Sequence, residues 1–208
     1  MTERRSAEEE AVLRTARLVL RRWRPDDLDH LTAMNTDPDV MRYFPMRPDR
    51  QQSAAMMAWI TTHIDRHGFG LWALEIPGVH RFAGFVGLFR PTFHAHFTPC
   101  IEVGWRLVRT AWGHGYATEA ALASLRFGFE HVALEEIVSF TVPQNKRSVA
   151  VMERIGLVRD AAGDFDRPMV DPEAHAELVH HVFYRLDRQT WQIHQRLSAD
   201  PSILISRS

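Results

Sequence analysis

Two glycines, Gly113 and Gly115, stand between a predicted strand and a long predicted helix. The strand covers residues 101–107, and the helix that follows contains no proline. A glycine turn at the start of a helix leaves several backbone N–H groups without an internal partner, at the positive end of the helix dipole. This arrangement predicts a binding site for phosphate groups.

Two common phosphate-binding loops do not fit this glycine turn. A P-loop requires G-x-x-x-x-G-K-[ST], and residues 114–117 supply neither that spacing nor the lysine. A dinucleotide-binding fold requires G-x-G-x-x-G, and Thr118 stands where the third glycine would be. The turn therefore belongs to another class of phosphate site.

A second motif follows the glycine turn at a distance. Residues 113–120 read G-x-G-Y-A-T-E-A, and residues 145–148 read Asn-Lys-Arg-Ser. Together they resemble the GNAT family of N-acetyltransferases, in particular the branch that acetylates the N-termini of ribosomal proteins. The resemblance covers roughly residues 16–188. It implies an α/β (α+β) fold: a mixed, mostly antiparallel central sheet, splayed between two parallel strands, with helices on both faces.

The resemblance also implies acetyl-CoA as the co-substrate, with no metal. The glycine turn would bind the pyrophosphate, the preceding strand would pair with the pantetheine arm, and the Asn-x-x-Ser segment would begin the helix on the far side. Thr110 departs from the Gln or Arg that many relatives carry. The residues expected to contact acetyl-CoA are Trp105, Arg106, Leu107, Thr110, Trp112, Gly113, His114, Gly115, Tyr116, Ala117, Thr118, Asn145 and Ser148.

Transfer of an acyl group to an amine requires a deprotonated acceptor, whereas direct attack on a thioester requires no covalent enzyme nucleophile. Glu102, on the strand beside the expected thioester, is the predicted general base; an ion-paired strand carboxylate is the alternative. Many relatives carry a proton-donating tyrosine where this chain has Met152. Ser148, Tyr184 or water would then protonate the leaving thiolate, or the thiolate leaves unprotonated.

The acceptor is predicted to be a primary amine, either a protein or peptide N-terminus or a small molecule. Tyr43 and Phe44, in a proline-rich segment, are predicted to line its site, with core packing as an equal alternative. His181 is also expected to shape this pocket, and the acidic residues of 161–180 could attract a cationic amine. The alternative to an enzyme is a non-catalytic acyl-CoA-binding or regulatory module, which Met152 makes conceivable.

Composition narrows the partners and the compartment. The formal net charge of −1 argues against nucleic acid and anionic membranes as partners. Cys100 is the one cysteine and is expected to pack as a small apolar residue; with an N-terminus that lacks an apolar signal core, it favours the cytoplasm. No apolar run reaches the roughly 18 residues of a membrane span. The family resemblance also suggests a homodimer.

Spacing and turn residues predict the elements that position these side chains. The predicted strands cover residues 16–23, 69–76, 82–89, 98–107, 137–142, 157–160 and 178–186. The predicted helices cover residues 26–35, 51–67, 112–131 and 145–155. A short loop between each pair of the second, third and fourth strands predicts an antiparallel meander.

These elements make up a single predicted domain of residues 16–190. A flexible segment, 1–15, would precede it, and a C-terminal helix end and tail, 191–208, would follow it. His63 and His67 have the i, i+4 spacing of a zinc pair, but a third ligand is missing, so a solvated helix face is predicted instead.

Overall fold

A computed structural model of the chain describes residues 11–168 and 170–199. Its helices are α1 (Asp27–Thr36), α2 (Arg50–His67), α3 (Tyr116–Glu130), α4 (Lys146–Arg154) and α5 (Arg188–Ala199). Its strands are β1 (Ala11–Arg14), β2 (Val19–Arg21), β3 (Leu71–Ile76), β4 (His80–Phe89), β5 (Glu102–Leu107), β6 (Glu136–Thr141), β7 (Val158–Arg159), β8 (Phe165–Asp166) and β9 (His180–Asp187).

The strands form one sheet in the order β1-β2-β3-β4-β5-β6-β9-β7, and β8 pairs with β9. Every neighbouring pair in this sheet is antiparallel except β5 and β6, which are parallel. A parallel pair needs a crossover connection, and α3 supplies it. The mixed, mostly antiparallel sheet confirms the fold class expected from the sequence.

The two parallel strands pair only at one end. Their register consists of Glu102 opposite Val138, and the N–H of Val138 donates to the carbonyl of Ile101 at 2.8 Å. Beyond that point the remaining residues of β5 and β6 have no partners across the gap, whereas β5 stays paired with β4 along its whole length. The sheet is therefore splayed between β5 and β6, as the family resemblance implied.

Helices cover both faces of the sheet. On one face, Trp59 of α2 meets Phe89 of β4 edge to face, with ring centroids 6.3 Å apart. On the other face, Phe127 of α3 meets Trp72 of β3 in the same way, at 5.3 Å. Gly128 allows α3 to approach the sheet closely, because a Cβ there would come within 2.8 Å of Ile137. This packing fixes the start of α3 above the end of β5.

The termini differ from the sequence expectation. Residues 11–14 of the segment predicted to be flexible form β1, an edge strand paired with β2. The predicted domain end at residue 190 lies inside α5, where Trp191 is buried and stacks on Phe129 at 5.4 Å. Residues 1–10 and 200–208 lie outside the described residues.

The solvated face predicted for His63 is wrong. The side chain is buried, its Nδ1 lies 3.0 Å from the carbonyl oxygen of Phe69, and its Nε2 accepts the backbone N–H of Arg90 at 3.2 Å. Burial lowers the pKa of the imidazole, which therefore stays neutral. His63 connects the end of α2 to the segment after β4 and is a structural residue.

Candidate functional site

The free edge of β5 presents backbone groups to the gap. The N–H of Val108 donates to Ala83 of β4, so Arg106 and Gly104 also direct their backbone groups toward β4. Trp105 and Leu107 point the opposite way, into the gap. The carbonyl of Leu107 accepts the indole N–H of Trp112 at 3.0 Å. The backbone of Trp105 and the N–H of Leu107 can thus pair with an extended ligand.

The same alternation corrects the expectation for Arg106. Its backbone pairs with Phe85 of β4, and its side chain lies over the rings of Phe44 and Phe85. Neither part of the residue faces the gap. Arg106 shares its face of β5 with Glu102, on the side of α1 and α2.

The glycine turn leads into α3 without a side-chain cap. Gly113 and Gly115 have φ values of 80° and 78°, a conformation that residues with a Cβ rarely adopt. The first helical bond runs from the N–H of Glu119 to the carbonyl of Gly115, so the preceding N–H groups point out of the helix start. Tyr116, Ala117 and Thr118 contribute these donors. The turn is open, since a Cβ at Gly113 would have no heavy atom within 4 Å.

Cationic side chains surround the turn. Arg17 donates to the carbonyl of His114 at 3.0 Å and pairs with Glu119 at 2.6 Å. The guanidinium of Arg147 lies 4.5 Å from the centre of the Trp112 ring. Glu119 offsets the charge of Arg17, whereas Arg147 has no ion pair among the described residues and so favours an anionic group at the turn. Thr110, also predicted to contact the cofactor, is exposed, with its hydroxyl 3.4 Å from His80 Nε2.

The far wall of the gap begins at Asn145, which caps α4. Its side-chain oxygen accepts the N–H of Ser148 at 3.3 Å, and its amide nitrogen donates to Ser148 Oγ at 3.0 Å and to Thr141 Oγ1 at 3.1 Å. The Ser148 hydroxyl is thus held at the helix start. Among the described residues it donates no hydrogen bond. Arg147, in the same motif, reaches across to the Trp112 ring before the glycine turn.

Glu102 lies at the closed end of the gap, where β5 and β6 still pair. Its side chain is 9% exposed and has no hydrogen bond or ion pair within residues 11–168 and 170–199. Burial raises the pKa of this carboxyl from 4.5 to about 8, and the positive charge of Arg167 opposes the shift. A carboxyl with a pKa near neutrality can accept and release protons at physiological pH.

This ionisation can be measured directly. We expect the side-chain carboxyl carbon of Glu102 to titrate near pH 8 in a ¹³C NMR titration, while exposed glutamates titrate near their ordinary pKa of about 4.3. In Arg167→Gln the midpoint should rise, since the charge that favours the carboxylate is lost. The exposed Arg126→Gln should leave it unchanged. A Glu102 midpoint below pH 5 in the wild type would contradict the burial argument.

Two arginines lie on the Glu102 face of the sheet, and the first is Arg106. The guanidinium of Arg106 donates to Asn35 Oδ1 at 2.7 Å and stacks on Phe44 at 4.0 Å, and its Nε is buried without a partner. Asn35 itself is fully buried and donates to Ser53 at 3.0 Å. Burial and the charge of Arg167 lower the pKa of Arg106 to about 10, so the side chain stays protonated at neutral pH.

Arg167 follows β8 and reaches back over the sheet. Its guanidinium lies 5.7 Å from the ring centre of Phe93 and 6.0 Å from that of Phe140. Its charge acts on Glu102 and Arg106, and it also lowers the pKa of His181. Arg167 is half-buried, and no carboxylate pairs with it in the described part of the chain.

Three side chains were predicted to line the acceptor pocket. Tyr43 is half-buried and donates its hydroxyl to the carbonyl of Gln144 at 3.2 Å, which joins the loop after α1 to the segment before α4. Phe44 is the platform for Arg106. His181 is 4% exposed, and burial lowers its pKa to about 4, so its imidazole is neutral at physiological pH.

The remaining candidate side chains for proton transfer have different surroundings. Tyr184 faces α4 and donates to Glu153 Oε1 at 3.4 Å; burial and Glu153 raise the pKa of the phenol. Met152 is buried in the core. Cys100 precedes β5 and packs with apolar residues, and burial raises the pKa of its thiol to about 12, which keeps it un-ionised.

Two aspartates of the acidic segment already have partners. Asp164 pairs with Arg159 and accepts the N–H of Phe183, and Asp166 lies 3.2 Å from His180 Nδ1. No group of three or more His, Cys, Asp or Glu side chains in residues 11–168 and 170–199 is arranged to hold a metal ion. None of the helices in that part of the chain is long and apolar enough to cross a membrane.

Sequence reasoning missed Asn35, Ser53 and Arg167 as site residues. Asn35 is the second-last residue of α1, and the sequence near it gives no signal that its side chain is buried. Arg167 closely follows the aspartates at 164 and 166, and sequence reasoning considered only the acidic residues of that segment. Both residues contact distant parts of the chain. Asn35 accepts from Arg106, which is 71 residues away, and Arg167 lies near the rings of Phe93 and Phe140.

Two surface grooves lie away from Glu102. A groove of about 770 Å³ runs along the outer side of α3 toward α5, between Leu13 and Trp191. A smaller one, of about 450 Å³, lies beside β2 and Tyr116. Neither includes Glu102 or the glycine turn.

The chain is similar to known acetyltransferases. A family model described as an acetyltransferase (GNAT) domain matches residues 17–158. The uncharacterized protein YkkB of Bacillus subtilis is 31% identical over 135 residues, or 64% of this chain and 77% of that protein. FsC-acetyl coenzyme A-N(2)-transacetylase of Aspergillus fumigatus is 30% identical over 206 residues, or 94% and 82%. The crystal structure of a GNAT-family acetyltransferase from Bacillus anthracis, 24% identical, superposes with a TM-score of 0.69 over 85% of this chain and 98% of that one.

Proposed function

The chain belongs to the GNAT acetyltransferase family and is an N-acetyltransferase, and on this premise we propose that it transfers the acetyl group of acetyl-CoA to a primary amine. The observation that carries the proposal is the unpaired edge of β5 running from Glu102 to the glycine turn. Placement in the branch of ribosomal-protein N-terminal acetyltransferases, a homodimer and a cytoplasmic location stay predictions.

The residues present fit acetyl-CoA. The pyrophosphate would accept from the free N–H groups at the start of α3, beside Arg17 and Arg147. The pantetheine arm would pair with the backbone of Trp105 and Leu107, in the place of a neighbouring strand. Asn145 and Ser148 would flank it from α4. When bound, acetyl-CoA supplies an activated acyl carbon joined to a thiolate leaving group.

The acceptor amine must lose a proton before or during attack. The Glu102 carboxylate would take this proton, directly or through one water, and the nitrogen would form its bond to the acyl carbon as the carbon–sulfur bond breaks. No covalent enzyme intermediate is required, and the raised pKa of Cys100 makes it a poor nucleophile. Tyr43 and Phe44 would border the acceptor's entry.

Two side chains were predicted as proton donors to the leaving thiolate. We favour Ser148, since it stands at the rim of the gap and its own hydrogen has no acceptor among the described residues. Tyr184 donates to Glu153, and the raised pKa of its phenol makes it a weaker acid. Release of the thiolate without an acid remains consistent with an ordinary thiol pKa near 8.5.

The cofactor site can be tested by Gly115→Asp. A side chain at φ 78° is strained, and a carboxylate at the helix start would repel the phosphates, so we expect the affinity for acetyl-CoA to fall at least about tenfold in calorimetry. Gly68→Asp is the matched control, because Gly68 has φ 74° at the end of α2 and a Cβ there would have no heavy atom within 4 Å.

The two variants separate strain from electrostatics. Gly68→Asp should bind acetyl-CoA as the wild type does. Equal affinity in Gly115→Asp and the wild type would remove the glycine turn from the cofactor site. A wild type that does not bind acetyl-CoA would refute the proposed function.

A further inference from the structure

Two positively charged side chains, Arg106 and Arg167, lie on the Glu102 face of the sheet without a neutralising carboxylate in the described part of the chain. Arg106 is held by a neutral amide and an aromatic ring, and Arg167 lies over two aromatic rings. Neither forms an ion pair within the described ranges, 11–168 and 170–199. Other arginines, such as Arg21, Arg159 and Arg185, do form ion pairs.

A partly buried guanidinium without a carboxylate partner lowers the stability of the fold, so its presence points to a role in binding. Desolvation weakens the charged form, and the buried Nε of Arg106 lacks even a neutral acceptor. Arg106 and Arg167 also repel each other, which is why the charge of Arg167 lowers the pKa of Arg106. An anion placed between them would remove the repulsion and satisfy the unpaired donors.

We propose that the acceptor carries its own carboxylate next to the reacting amine, and that this carboxylate binds to Arg106 and Arg167. The inference rests on the proposed acetyl transfer and specifies its acceptor as an amino acid or another amine with a nearby carboxylate. The planar guanidinium of Arg106 suits a carboxylate in particular, since it can donate two parallel hydrogen bonds.

The buried network behind Arg106 fits this role. Asn35 offers only its amide oxygen to Arg106, since its nitrogen donates to Ser53. An aspartate at this position would have neutralised the arginine. The network therefore fixes the direction of the guanidinium and leaves its full charge for a ligand. Asn35 and Ser53 are positioning residues, while Arg106 contacts the acceptor.

The same charges disfavour polyamines. Glu102 is largely protonated at neutral pH and cannot offset two guanidinium groups. Asp164 and Asp166 are already paired with Arg159 and His180. A cationic acceptor such as spermidine would therefore meet net repulsion at the site.

Thiol release with acetyl-CoA can compare matched acceptors. The probes are free amino acids, the same amino acids as carboxamides, and spermidine. We expect at least one free amino acid to exceed its carboxamide by about 10- to 100-fold in kcat/KM, the effect of one or two charge-assisted hydrogen bonds. The amine of a carboxamide is the less basic of the two, so chemistry alone would favour the amide.

Peptides distinguish two sources of the carboxylate. An amidated peptide that begins with glutamate is compared with one that begins with glutamine. A preference for the glutamate peptide over both free amino acids and the glutamine peptide would place the carboxylate on a side chain. A preference for free amino acids would place it on the α-carbon. Either result supports the inference.

Two variants connect the preference to Arg106. Arg106→Gln should lower kcat/KM for the preferred acid by about 10- to 100-fold, mainly through KM, and leave the carboxamide within about twofold. Asn35→Asp should act in the same direction with Arg106 still present, because it supplies an internal carboxylate 2.7 Å from the guanidinium. Arg126→Gln, exposed on α3, is the control and should change neither acceptor.

Asn35→Asp carries the test if Arg106→Gln fails to fold. Carboxamides or spermidine as acceptors equal to the free acids would overturn the inference and leave acetyl transfer intact. Equal losses for acid and amide in both variants would also overturn it. Bound acetyl-CoA without thiol release from any probe would contradict the proposed function itself.

Discussion

Glu102→Gln is expected to lower kcat for acetyl transfer by about 100- to 10,000-fold, the usual contribution of a general base. Glutamine keeps the size of the side chain but cannot take the proton of the acceptor. Acetyl-CoA binding should stay within about twofold, since the phosphate and pantetheine contacts lie farther along β5 and at α3. Thiol release and calorimetry on the same preparation measure the two effects separately.

The pH profile gives an independent readout of the same change. The base must be ionised, so the wild-type rate should rise with pH through about 8. The rise in rate that follows ionisation of Glu102 should be absent from Glu102→Gln. The rise that follows deprotonation of the acceptor amine should remain in both proteins. Glu130→Gln, exposed at the end of α3, should behave as the wild type. Unchanged kcat in Glu102→Gln would remove Glu102 from the role of base.

The raised pKa also affects stability. Between pH 4.5, the ordinary pKa of the carboxyl, and about 8, the folded state holds a proton that the unfolded chain releases. The contribution of Glu102 to stability is therefore complete at low pH and is lost as pH rises to about 8. Glu102→Gln has no such proton and should be less sensitive to pH over this window, which chemical denaturation at a series of pH values would reveal.

Most of the fold could be predicted from the sequence because its signals are local. Asp49 and Gln52 form a capping box at the start of α2, and Gly68 ends that helix with φ 74°. The meander followed from short loops with turn residues. β1 was missed because it is a four-residue edge strand that pairs only with β2, and its residues follow an acidic run. The predicted strand at 98–107 was too long by four residues, since regular pairing with β4 begins at Glu102.

The two halves of the candidate site differ in how local their sequence signals are. The proposed cofactor half is carried by contiguous motifs, so Gly113 and Gly115 could be chosen from the glycine turn and Asn145 from the family resemblance. The acceptor half is made of residues from separate elements, such as Asn35 and Arg106, whose contact depends on how α1 lies against β5. Spacing alone cannot express such a contact. Strand alternation would have been enough to place Arg106 beside Glu102 rather than on the cofactor.

Arg21 illustrates a contact that the sequence also concealed, and its loss should strongly affect stability. The residue lies on β2 with its side chain 2% exposed, and its pair with Asp27 is bidentate, with both distances 2.8 Å. It also donates to Glu75 at 2.9 Å and to the carbonyl oxygens of Arg22 and Arg81. All five donors are therefore satisfied, and one side chain joins β2, β3 and the start of α1.

We expect Arg21→Met to reduce the free energy of unfolding by about 3–5 kcal/mol, since Asp27 would remain buried with its charge unpaired. Arg81→Met is the matched control, because the pair of Arg81 with Asp26 is exposed and should contribute less than about 1 kcal/mol. Denaturant titration followed by tryptophan fluorescence measures both.

The double variant Arg21→Met with Asp27→Leu tests which loss lowers the stability: the partner of the Asp27 charge, or the other hydrogen bonds of Arg21. If the unpaired carboxylate causes the loss, removing it should restore most of the stability, because apolar residues of similar volume can replace a buried ion pair. A double variant as unstable as Arg21→Met would instead attribute the loss to the contacts with Glu75 and the two carbonyl groups. Equal stability of Arg21→Met and Arg81→Met would contradict the role of the buried pair.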